Sequence, residues 1–179
     1  AVSFPESSSL TMIYDVFLKG HFAKFKPGVQ DLAPQIIKAA ILLHEKVVAG
    51  FKKTAINFHY EFNIRHISNI FSGILQTQPD KFPDVEKVIK LWFHESERIY
   101  ADRLIEMTHI KTYTESALEI VKKVFGKNVV QKHYQGENPE PLVFCHFPMG
   151  YLGEKVYDTA PFYNYTNNPH NKNDISNHV

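Results

Sequence analysis

Phe58-His59-Tyr60-Glu61-Phe62-Asn63-Ile64-Arg65-His66-Ile67-Ser68-Asn69-Ile70-Phe71 is the stretch on which the fold turns. Asn63 is a favourable helix N-cap, and Ile64, Ile67, Ile70, Phe71, Ile74 and Leu75 follow at helical spacing. The spacing predicts a helix that opens at Asn63 and ends near Leu75. Arg65 and His66 then stand in its first turn, where the helix dipole disfavours each cation by about 0.3–1 kcal/mol. No acidic residue in that turn offsets them. A charge-assisted contact worth roughly 1.5–3 kcal/mol outweighs that cost, and a helix N-terminus carrying a guanidinium suits a phosphate. An Arg65 paired with a distant carboxylate, or simply solvated, is the alternative, and residue chemistry alone leaves both open.

Outward from this helix the chain keeps a helical period. A first helix from Ser7 presents Leu10, Ile13, Tyr14, Phe17 and Leu18, and Lys26-Pro27-Gly28 breaks the pattern. A second runs from about Val29 to Ala49, its stripe Leu32, Ile36, Ala39, Ala40, Leu43 and Val47, with Pro34 near the first turn. After Pro79 and Pro83, Asp84 caps a fourth with Val85, Val88, Ile89, Trp92, Ile99 and Leu104 inward. Glu115 to Phe125 is the fifth, closed by Gly126. Residues 136–141 read as loop and Leu142 to Phe147 as a short strand. The Asn-, His- and Lys-rich text from Tyr163 is expected to be disordered or extended. The expected fold is all-α, a bundle of about five helices with an irregular C-terminal extension.

Composition narrows the function. With 179 residues and a net charge of +1, the chain fits one domain and has no general affinity for nucleic acid or anionic membrane. No apolar run is long enough to span a bilayer. Cys145, the only cysteine, excludes an intramolecular disulfide and fits a reducing compartment. The opening Ala1-Val2-Ser3-Phe4-Pro5 lacks a Met or signal and reads as a piece of something larger. Asn164-Tyr165-Thr166 matches a glycosylation sequon and is read as chance.

Other constellations are weaker. His94-Glu95 has Arg98 where a zinc-protease motif needs a second His. Glu95, Arg98 and Asp102 instead have the spacing of a charge ladder along one helix face. His44-Glu45 reads as surface or packed edge, and nothing fixes His59 and His66 into a metal site, so no metal is expected. There is no phosphate loop, βαβ alternation or nucleophile elbow. A phosphate-sensing arginine without a phosphate cradle is half a nucleotide site.

His59-Tyr60-Glu61-Phe62-Asn63-Ile64-Arg65-His66-Ile67-Ser68 resembles the His-Tyr-x-Phe-Asn-Leu-Arg-Asp-Leu-Ser motif of dynein heavy chains. Leu91-Trp92-Phe93-His94-Glu95-Ser96-Glu97-Arg98-Ile99-Tyr100-Ala101-Asp102-Arg103-Leu104 is similar to that family's Leu-Trp-x-His-Glu-x-x-Arg-Val-x-x-Asp-Arg-Leu signature. Phe144-Cys145-His146-Phe147, with Tyr157 and Asp158, resembles the passage into the next module, and the likeness extends from about Val2 to Ala160. The wording is nearest to axonemal heavy chains and to the third AAA+ module of their ring.

The resemblance implies a small helical lid subdomain of an AAA+ module. Residues 1–6 would end the preceding large-subdomain strand, 7–126 form the lid, 127–160 lead toward the next module, and 161–179 form the tail. It implies that Arg65 is sensor-2-like, reaching nucleotide phosphates with Asn63 and Ile64 beside it. His66 stands where the family usually has Asp. The implied setting is an ATP-driven microtubule motor of the cytoplasm and of the axoneme in cilia and flagella. ATP or ADP would be bound in the parent, and none held tightly by this chain alone. The implied partners are the large subdomain of the same module and the next module of the ring, with microtubules met only through the parent. This chain alone is not expected to be an enzyme. A free-standing helical adaptor that binds partner helices is the competing reading.

Overall fold

The structure, a computed structural model, describes residues 7–126, 129–134, 142, 144–145 and 164–165. The expected strand end before Pro5, the loop at 136–141 and nearly all of the tail lie outside them. The elements are α1 (Ser7–Phe22), α2 (Pro27–Gln30), α3 (Ala33–Gly50), α4 (Ile64–Ile74), α5 (Val85–Tyr100), a 3-10 turn (Ala101–Arg103), α6 (Met107–Phe125), α7 (Gln131–Tyr134), β1 (Phe144–Cys145) and β2 (Asn164–Tyr165). Five of the helices have eleven residues or more, and the fold is an all-α bundle. The two short strands pair antiparallel, Phe144 opposite Tyr165.

α3 is the axis of the bundle. It packs against α1 and α6 and also meets α4 and α5. Its burial therefore exceeds the expected single stripe: Ile37, Ile41 and His44 are buried with Ile36, Ala39, Ala40, Leu43 and Val47. A helix apolar on several faces belongs in the middle. It begins at Ala33, later than expected, because Pro34 has no N–H to give to Gln30 and is tolerated only in the first turn. The residues before it form the separate turn α2, held where Gln30 Nε2 donates to the Phe25 carbonyl at 2.7 Å.

α1 is rotated from the expected face. Leu10, Tyr14, Leu18 and Phe22, spaced by four, are buried, whereas Ile13 and Phe17 are half exposed. α1 carries apolar side chains on two faces, and periodicity cannot choose between them. α5 ends at Tyr100, so Leu104 reaches the core from beyond the 3-10 turn. Asp84 occupies the N-cap position of α5 without a side-chain capping bond.

α6 starts at Met107, eight residues before the expected Glu115. Its first turns are rich in β-branched residues, which are poor helix formers. Tertiary anchors override that: Tyr113 is fully buried, Asn57 Nδ2 donates to Glu106, and the Tyr60 hydroxyl meets His109 Nδ1. Gly126 closes α6 with φ 65°, its N–H donating to the Lys122 carbonyl at 3.1 Å.

Beyond α6 the chain folds back onto the bundle. Val130, Leu142 and Phe144 are buried in the same cluster as the helices. Phe144 stacks on Phe82 and the ring of His94, and His94 Nδ1 donates to the Leu142 carbonyl at 3.1 Å.

Candidate functional site

The first turn of α4 is built around a reciprocal cap. Asn63 is extended (φ −135°, ψ 178°), and its Oδ1 accepts the backbone N–H of Arg65 at 3.0 Å. In return His66 Nδ1 accepts the N–H of Asn63 at 2.9 Å. This is a capping box with histidine where Glu or Gln is usual. Nδ1 accepts in this arrangement only while it is unprotonated; the same nitrogen lies 3.1 Å from the Asn63 carbonyl, which a protonated Nδ1 would engage instead. The His66 side chain turns inward and is buried, and burial lowers its pKa from 6.5, partly offset by the contact with the Asn63 carbonyl.

Beneath the cap lies a polar seam through the core. His66, Phe62 and Tyr100 pack ring to ring, and the Tyr100 hydroxyl bonds His44 Nδ1 of α3 at 2.9 Å. His44 is thus buried, so of the two expected settings, surface or packed edge, the surface one does not hold, and burial drives its pKa down to about 4. On the opposite flank, Tyr14 of α1 bonds Ser68 Oγ at 2.8 Å and its ring lies 4.2 Å from that of Phe71. α4 is thereby tied to α1, α3 and α5.

The approach to Asn63 is held as firmly. The Tyr60 hydroxyl accepts the N–H of Ile105 at 3.2 Å and meets His109 Nδ1 at 3.1 Å. Asn57 Nδ2 donates to Glu106 at 3.0 Å, and His59 Nε2 donates to the Arg103 carbonyl at 3.1 Å. His59 and His66 therefore serve separate structural tasks.

Arg65 itself is exposed, and among the described residues it makes no ion pair. The distant-carboxylate alternative thus finds no partner there. Ile64 is half buried against the core, and the cap already satisfies the N–H groups of Arg65 and Asn63. What this end of α4 offers an anion is mainly the guanidinium. Ile56 and Phe58, before α4, and Ile105 and Met107, at the start of α6, are exposed apolar side chains.

The charge ladder forms in part. Arg98 pairs with Asp102 at 3.1 Å, but Glu95 turns inward and is buried against Gly73 of α4. Sequence reasoning assigned no role to Tyr60 or Tyr100. The tyrosines stood inside the two quoted motifs, and an aromatic with a hydroxyl in an otherwise apolar stripe is a signal for a buried hydrogen bond.

A five-helix bundle with an N-capped, arginine-bearing third long helix defines a class, and the chain belongs to it: residues 36–132 match the family described as AAA+ lid domain. The relatives in sequence are dynein heavy chains. The chain is 46% identical over 163 residues to the dynein alpha chain of the flagellar outer arm of Chlamydomonas reinhardtii, covering 91% of this chain and 4% of that protein. It is 36% identical over 163 residues to the ciliary dynein beta chain of Tripneustes gratilla, covering 90% and 4%. With dynein axonemal heavy chain 17 of Homo sapiens the identity is 35% over 167 residues, again 90% and 4%. The chain thus spans about 4% of the length of these relatives.

Proposed function

We propose that this chain is the lid of an AAA+ module, the third of the ring, in an axonemal dynein heavy chain. There it covers and senses nucleotide and passes the state of that site to its neighbours by rigid-body motion. The observation that carries this reading is Arg65: exposed, in the first turn of a capped helix, with no carboxylate partner among the described residues. Arg65 is the sensor-2-like contact to the phosphates of ATP or ADP, and Asn63 and Ile64 set the first turn beside the nucleotide. Residues 7–126 form the lid proper, 1–6 enter it from the large subdomain, 127–160 lead toward the next module, and 161–179 are the tail.

On this reading the chain does not hydrolyse ATP alone. One cation without a phosphate cradle or magnesium ligands supplies a small part of a triphosphate site. The parent motor meets microtubules elsewhere, since no stalk-like heptad pair occurs in the sequence. Its place is the cytoskeleton of the cilium or flagellum, assembled from the cytoplasm. The exposed strip Met12, Ile13, Val16 and Phe17 of α1 is the surface that a large AAA+ subdomain covers. Arg65→Ala in the intact heavy chain tests the reading: nucleotide affinity at this one module falls, and unchanged affinity there contradicts it.

A further inference from the structure

A histidine that closes a capping box behaves unlike a carboxylate in the same place. An Asp or Glu that closes a capping box stays ionised through the physiological range, whereas an imidazole nitrogen accepts a hydrogen bond only while neutral. In this chain the acceptor for the Asn63 N–H is His66 Nδ1, at 2.9 Å, and the Asn63 carbonyl lies 3.1 Å from the same nitrogen. Adding a proton to Nδ1 removes the acceptor from the Asn63 N–H and turns the ring toward the carbonyl. That carbonyl already accepts the N–H of His66 at 3.0 Å. The new charge also sits in the first turn of α4, where the dipole opposes it.

We propose that His66 is a positioning residue for Arg65, its neutral Nδ1 holding the first turn of α4 so that the aim of the guanidinium toward an anionic phosphate depends on the protonation state of His66. The functional part rests on the Arg65 reading above; the structural part does not. The groups that face His66 are few. His44 from α3 and Tyr100 from α5 lie against or near its ring, Phe62 packs on it, and Glu61 and Arg103 act on it through space. Of the titratable ones, His44 gains its proton only near pH 4, the Tyr100 hydroxyl holds its proton far above neutrality, and the two exposed charges oppose one another. Protonation of His66 places a new charge in this seam. Burial moves that change below pH 6.5, so the cap is whole at neutral pH and loosens in mild acid.

The test is a pH titration of the whole chain by NMR, following the His66 ring together with the backbone amides of Asn63 and Arg65 between pH 7.5 and 4. In the wild type both amides shift with the midpoint of the His66 ring, below 6.5. His66→Gln keeps a neutral acceptor, and its Asn63 amide stays in the capped position with no such midpoint. His66→Ala exchanges the Asn63 amide roughly fivefold faster at every pH, and Gln restores protection. Wild-type amides that stay flat while the ring titrates, or the same midpoint persisting in His66→Gln and therefore belonging to His44, overturn the proposal. These readouts are taken without nucleotide. A titrating cap combined with unchanged nucleotide affinity in Arg65→Ala would therefore remove the Arg65 reading and leave the cap standing.

Discussion

The carboxylate of Glu95 in α5 lies against the Cα of Gly73 in α4, in the space where a side chain on residue 73 would stand. Both residues are buried, and the pair sits on the crossing of two helices that pack along their length. Glycine costs a helix interior about 1 kcal/mol relative to alanine. Its presence here is explained by close approach, since a Cβ would overlap Glu95 along its side chain as far back as Cγ.

Gly73→Ala is therefore expected to destabilise the bundle by about 1–3 kcal/mol despite the gain in helix propensity. For a chain of this size that lowers the melting temperature by several degrees. Thermal unfolding checks it, and a variant more stable than wild type would show that α4 and α5 are further apart than described.

Stability should fall in mild acid. His44 and His94 are buried neutral, each with its pKa lowered to about 4 mainly by burial. The unfolded chain binds their protons near 6.5, so their contribution is complete above that pH and is lost as pH falls from 6.5 toward 4. At pH 5 each accounts for roughly 2 kcal/mol. Melting temperature should drop by on the order of 10 °C between pH 7.5 and 5. A flat profile over that range would mean that both imidazoles are reached by water.

Tyr100→Phe removes the hydroxyl that bonds buried His44 and leaves the aromatic packing in place. The expected loss is about 1–3 kcal/mol. It should come with a change in the His44 pKa, because the hydroxyl bonds the neutral and the charged ring unequally. Chemical denaturation together with a histidine titration measures both; no change in either would place the hydroxyl elsewhere.

The α1 strip gives a prediction of the opposite kind. Val16 and Phe17 are exposed, so Val16→Glu and Phe17→Glu should leave the unfolding free energy of this chain within about 0.5 kcal/mol of wild type. In the intact heavy chain the same changes should loosen the ring, seen as faster proteolysis at the lid. Destabilisation of the chain alone would mean that the strip is covered from within.

Much of this was legible beforehand, for reasons that differ by residue. Asn63 announced a helix start because its side chain can satisfy a first-turn N–H whatever surrounds it, and the isoleucines after it bury on one face as their spacing requires. Gly126 announced an end because only glycine reaches φ 65° without strain. Facts about neighbours were out of reach. Ile13 and Phe17 keep the helical period as well as Tyr14 and Leu18 do, and only the position of α3 decides which pair is buried. The start of α6 depends on anchors from the loop before α4, and the inward turn of His44 depends on a hydroxyl 56 residues away. At the site, Arg65 was placed by local rules, whereas the capping role of His66 required knowing that its ring is buried.

Whether Arg65 senses nucleotide is read directly from nucleotide affinity at this one module of the intact heavy chain, compared for wild type, Arg65→Ala and Arg65→Lys. Loss of a charge-assisted contact worth roughly 1.5–3 kcal/mol predicts a fall of about 10- to 100-fold in Arg65→Ala. Lysine recovers part of it, because an ammonium lacks the bidentate fork. The lid should melt at the same or a slightly higher temperature, since a cation has left a helix N-terminus. Unchanged affinity with a less stable lid would contradict the account and make Arg65 a structural residue.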